Sequence, residues 1–132
     1  MKKVIFAGGI YNLFFVCFHT GFWKIFNWNT ELLKLDFTNG WIMQILNVQI
    51  IYYFIITAII CFAFHKELLT TKLGKWFLLG STGFWFIRAI QQLVFWELGI
   101  ISTIIGVLFF LLGSALFLIP AIRKPATDVT EL

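Results

Sequence analysis

Four apolar runs, residues 4–23, 41–64, 76–96 and 98–119, set the limits of this fold. Each holds about the 20 residues that a helix needs to cross a hydrocarbon core roughly 30 Å thick. Strands are disfavoured, because the runs lack period-two alternation and open edges would leave backbone groups unpaired in lipid. The expected fold class is therefore all-α: an integral membrane four-helix bundle. Composition agrees, since 61% hydrophobic residues, 12% charged residues and a mean hydropathy of +0.93 leave too little polar surface to cover a globule in water. In a chain of 132 residues the spans and their connections consume nearly everything, so residues 1–122 read as a single transmembrane domain. Residues 123–132 read as a short polar cytoplasmic tail, with Pro120 and Pro125 expected to end the last helix.

Orientation follows from the basic residues. Lys2, Lys3, Lys66, Lys72, Lys75, Arg123 and Lys124 fall on one side of the spans, and only Lys24 and Lys34 on the other. The positive-inside rule puts both termini in the cytoplasm, in a cell (inner) membrane, and the loop of residues 24–40 outside. Trp23, Trp28, Trp41 and Trp96 then fall near the outer interface, where indoles are enriched. Lysines at span ends explain the net charge of +4 without nucleic acid, which is not an expected partner. Met1-Lys2-Lys3 before an apolar run resembles a secretory signal, but no small-x-small cleavage site follows and Val16 precedes Cys17, so the segment reads as an uncleaved first span.

This topology lets depths be compared at about 1.5 Å per residue. His19 falls roughly 6 to 8 Å below the outer boundary, Asn47 about 9 Å, Arg88 about 12 Å and Gln92 about 6 Å. At 100° per residue Asn12, His19 and Trp23 share a face of span one, and Gln44 and Asn47 a face of span two. Ser81, Trp85, Arg88 and Gln92 share a face of span three. The three stripes are expected to converge on a polar pocket in the outer half of the bundle, with Asn12 and Ser81 toward its floor.

A buried arginine needs compensation, and the spans hold no carboxylate. Glu97 lies nine residues on, about 180° around and roughly 13 Å along the helix, out of reach within one straight helix. Arg88 is left to snorkel, to use amides such as Asn47 and Gln44, to meet Glu97 of another subunit, or to bind an anion. His19 could relay protons or ligate a metal, though a histidine bonded to an amide is the commoner arrangement. Paired-histidine haem is excluded within one chain, because His65 sits at the opposite end of span two. Cys17 and Cys61 belong to opposite halves of the bilayer, so no disulfide is indicated. No phosphate loop, nucleophile elbow or HExxH motif occurs, which leaves a thin catalytic set, no assigned catalytic residue, and no implied metal or cofactor.

In the outer loop, "KIFNWNTELLKLDFTNG", Ile25, Trp28, Leu32 and Leu35 recur at helical spacing and Asn29 or Thr30 can cap, so an interfacial helix is expected, as a lid or a stiff connection. Gly99, Gly106 and Gly113 repeat every seven residues on span four, a groove for close helix approach within the bundle or between protomers. Gln49 points about 140° away from Gln44, toward lipid, span four or a partner.

The segments "FHTGFWKIFNW", "NGWIMQILN" and "FWFIRAIQQ" together resemble a group of small four-helix bacterial membrane proteins; the resemblance implies fold and topology and no activity. Gly21 and Lys24, followed by an interfacial loop, are similar to DoxX-like membrane proteins, and no functional residue is carried over. The expected function is binding of a small amphiphilic or lipid-like molecule, with Arg88 and Gln92 at its head, His19, Asn47 and Gln44 orienting it, and Trp23 and Trp85 on its apolar part. The alternative is an accessory or assembly subunit, in contact with membrane lipids and either a second copy or a membrane-protein partner.

Overall fold

Residues 1–95 and 99–123 are described in a computed structural model, and every regular element among them is helical. In chain order these are α1 (Lys2–Thr20), α2 (Phe22–Ile25), α3 (Trp28–Glu31), a single 3-10 turn (Leu32–Lys34), α4 (Phe37–Ala63), α5 (His65–Thr70), α6 (Lys72–Val94) and α7 (Ile100–Ile122). Trp96, Glu97 and the tail from Lys124 lie outside the described residues.

Three helices, α1, α4 and α7, are long and apolar enough to cross a membrane. The fourth expected span, α6, matches α7 in length at 23 residues. It falls outside that group because Arg88, Gln91, Gln92 and the small residues from Gly80 to Gly83 dilute its apolar content.

Helix ends differ from expectation at three places, each for a local reason. α1 stops at Thr20 instead of running on to Trp23: the N–H of Gly21 is shared between the carbonyls of Cys17 and Phe18, at 3.0 and 3.1 Å, and α2 restarts after it. The outer loop is no single interfacial helix, since α3 and the 3-10 turn break it into one-turn pieces. The residue preceding α3 is Asn27 and not Asn29 or Thr30; its φ of 50° lies in the left-handed region that asparagine tolerates. Pro120 does not end α7, which continues through it to Ile122. In the last turn of a helix a proline costs one backbone bond, and Pro120 and Ala121 are both buried.

Two of the long helices start on a side-chain cap. Asp36 Oδ2 accepts the N–H of Thr38 at 3.1 Å ahead of α4. Thr71 Oγ1 accepts the N–H of Gly74 at 2.9 Å at the start of α6.

The chain divides into two compact units, Gly9–Ala63 and the pair Met1–Gly8 with Phe64–Leu132. Within Gly9–Ala63, α1 and α4 run antiparallel. Gly9 faces Cys61 and Phe62, Phe15 faces Phe54, and His19 faces Asn47. A Cβ on Gly9 would stand 2.7 Å from the Phe62 ring, so glycine sets the close approach there. Within the other unit α6 and α7 pack along each other as an antiparallel hairpin, with Gln92 near Gly106, Arg88 and Trp85 near Phe110, and Thr82 near Ser114. The start of α1 joins this unit through Phe6, edge-on to His65 at 5.5 Å, and through Gly8, whose absent Cβ makes room for Phe117.

Of the three glycines of the heptad, Gly99 precedes α7 with a φ of 86° and faces open space. Gly106 receives Gln92 from the neighbouring helix and Gly113 is buried.

Candidate functional site

The end of α1 builds the first polar cluster. The last carbonyls of any helix lack intrahelical donors, and the break at Gly21 leaves that of His19 in this position. Asn47, from the middle of α4, donates from Nδ2 to it at 3.0 Å. A carbonyl can only accept, so this bond fixes the Asn47 amide and turns its Oδ1 toward the His19 ring, 2.7 Å from Nδ1. The proton of the neutral ring is thereby on Nδ1, which donates, and Nε2 carries the lone pair. Aromatic rings surround the imidazole: Phe22 stacks on it at 4.4 Å and Phe54 and Phe18 stand at 5.4 and 5.7 Å. Asn47 is buried, and so is Asn12 two turns earlier on α1.

Gln44, one turn before Asn47, is held less firmly. Its Oε1 accepts from Trp23 Nε1 at 3.4 Å and its Nε2 donates to the carbonyl of Gly40 at 3.3 Å, both longer than the usual range. Trp23 reaches it from α2, beyond the break, so the helical face expected to carry Asn12, His19 and Trp23 ends at His19.

The second cluster belongs to the α6–α7 hairpin. Arg88 is half-buried; its Nη2 donates to Gln92 Oε1 at 3.2 Å, and its guanidinium lies 4.4 Å from the centre of the Phe110 ring. Trp85, one turn below, is fully buried and stacks on the same ring at 6.1 Å and 14°. Gly106 seats Gln92: a Cβ there would come within 3.1 Å of its side chain. Ser81 is buried beside this stripe, and Ser114 donates to the carbonyl of Thr82 at 3.2 Å across the hairpin. Among the described residues no carboxylate pairs with Arg88; the one ion pair there joins Lys34 and Glu31 on the exposed connector.

The structure thus joins His19 to Asn47, Trp23 to Gln44, and Arg88 to Gln92. Sequence reasoning missed Phe110, the ring beside Arg88, and read Gly106 as a site of close helix approach without identifying Gln92 as its partner. Among the described residues no three His, Cys, Asp or Glu side chains are grouped to hold a metal, and both cysteines are free thiols. What the arrangement offers is hydrogen bonding and charge. Arg88 uses one of its five donors on a neutral amide and presents a cation in an apolar hairpin. Comparison of the chain with family models, with curated proteins and with solved structures finds no match, and its chemistry is read from these two clusters.

Proposed function

We propose that the chain is a multi-pass inner-membrane protein of four spans, α1, α4, α6 and α7, with both termini cytoplasmic, and that it binds a small amphiphile or lipid-like molecule with an anionic head. Arg88 and Gln92 meet the head, and Trp85 and Phe110 form the apolar bed. One observation carries this reading: Arg88 lies within an apolar helix pair, positioned by Gln92 and Phe110, with its charge uncompensated by any described carboxylate. A cation in lipid is costly unless it snorkels or is neutralised, and a carboxylate or phosphate head neutralises it with bidentate bonds.

A second reading, an accessory subunit of a larger membrane assembly, is favoured by Gln49 and Gln91. Both amides are exposed on helices otherwise suited to lipid, where interhelical hydrogen bonds would satisfy them. Native purification in mild detergent followed by mass spectrometry separates the two. A stoichiometric amphiphile that is lost in Arg88→Ala supports binding; a constant protein partner with no small molecule refutes it in favour of assembly.

A further inference from the structure

Two adjoining cavities of about 400 and 410 Å³ lie where the connector meets the first turns of α4, in the size range of small-molecule sites. They share two wall residues, Trp41 and Gln44. The first is walled on one side by Trp28 and Leu32 of the connector, whose backbone rests on Gly40: the Leu32 carbonyl stands 3.1 Å from where a Cβ would be. The second is bounded by Trp23 and Gln49.

The chemistry of the walls is specific. No charged side chain lines either cavity. Of the charges between α1 and α4, Glu31 pairs with Lys34 at 2.7 Å, Asp36 caps the start of α4, and Lys24 is not among the residues that line either cavity. The walls offer donors beside the amides of Asn29, Gln44 and Gln49: Trp28 and Trp41 make no hydrogen bond to the described residues through their indoles, and the amide of Gln44 has only the long bonds at 3.3 and 3.4 Å. The rim is apolar, with Leu33 82%, Phe37 77% and Trp41 56% exposed, in a chain whose neighbouring helices suit lipid. A carboxylate or phosphate would be desolvated here without a counter-charge; a carbonyl oxygen would receive the donors at no such cost.

We infer that this pair of cavities is a binding site for an uncharged amphiphile with a hydrogen-bond-accepting head, of the long-chain ketone or quinone class. Gln44 and the flanking indoles hold its oxygen, and its tail leaves over Phe37 and Trp41. The site stands on the Gly9–Ala63 unit alone and does not depend on ligand binding at Arg88.

The test uses the full chain in phosphatidylcholine nanodiscs, with a long-chain methyl ketone carrying a tail diazirine and its carboxylate counterpart of equal length as probes. The ketone is expected to label peptides within residues 28–49 saturably and in competition with unlabelled ketone. Loss of one or two donors in Gln44→Leu should weaken half-saturation about tenfold, the equivalent of ~1.4 kcal/mol. Arg88→Gln should leave ketone labelling unchanged. Should Gln44→Leu fail to fold, Trp41→Leu, at an exposed position, carries the same expectation. Unsaturable labelling spread along the apolar helices overturns the site, as does ketone labelling insensitive to both substitutions. Labelling by the carboxylate probe that equals the ketone's and vanishes in Arg88→Gln would overturn it too, in favour of anion binding alone. Failure of the Arg88 reading appears separately, as no loss of co-purifying amphiphile in Arg88→Ala.

Discussion

Asn47→Leu is the most informative single perturbation, because one amide makes two different bonds to the same residue. The substitution keeps the volume close and removes both the acceptor for His19 Nδ1 at 2.7 Å and the donor to the His19 carbonyl at 3.0 Å. Each such bond is worth about 0.5–1.5 kcal/mol net, and interhelical bonds between membrane helices average nearer ~0.6. Asn47→Leu should therefore cost about 1–3 kcal/mol, toward the upper end because Asn47 is buried and the ring and carbonyl it leaves are half-buried. His19→Phe removes only the ring bond, leaving Asn47 on the carbonyl, and should cost about half as much. The geometry is tested by the double-mutant cycle, read from thermal unfolding of all four proteins in one detergent. A coupling of about 0.5–1.5 kcal/mol between the two positions is expected, with residual cost of Asn47→Leu in the His19→Phe background from the backbone bond. Strict additivity would refute the ring bond. Full cancellation would refute the backbone bond, and with it the assignment of the Nδ1–H tautomer.

Other consequences are as concrete. Gly74→Ala would drive a Cβ to 2.5 Å from Leu68 Cα, against backbone and beside the Thr71 cap, and should lower stability by about 1–3 kcal/mol in the same unfolding assay. Phe110→Leu removes the ring under the guanidinium and should cost about 0.5–2 kcal/mol, with Arg88→Met abolishing the difference between Phe and Leu at 110. Gly106→Leu should expel Gln92 from its seat and reduce the amphiphile retained on purification, while Gly80→Ala, which faces open space, should not. For topology, a cysteine at Lys66 in a chain with Cys17 and Cys61 replaced should react with an impermeant maleimide only after the membrane is opened, and one at Thr30 from outside intact cells.

Much of the helix content was legible because lipid leaves an apolar run few alternatives: α4 and α7 fall where hydropathy places them, within a few residues. The ends were less legible. α1 breaks after Thr20, where the Gly21 N–H is divided between two carbonyls, and the composition around it does not express that break. α7 runs on through Pro120 to Ile122 with Pro120 and Ala121 both buried, a fact of packing that the residue type does not express. At the candidate site, periodicity correctly groups Arg88 with Gln92, four residues apart on one helix. It is silent on Phe110, because a phenylalanine among many in α7 is singled out only by the register of the hairpin. Spacing alone reads the connector as one helix, whereas Asn27 adopts a left-handed backbone that resets the chain's direction between α2 and α3.

The modest apolarity of α6 bears on how the chain would be made. A central arginine opposes entry of an isolated helix into the bilayer by about 2.5–3.5 kcal/mol, and two glutamines follow it within one turn. On α7, the next segment out of the ribosome, stand Phe110, which covers that arginine, and Gly106, which admits Gln92. If α6 is a span, it is one that its successor completes: the pair would be released sideways into the membrane together, and a nascent chain truncated before residue 100 would leave α6 waiting at the threshold.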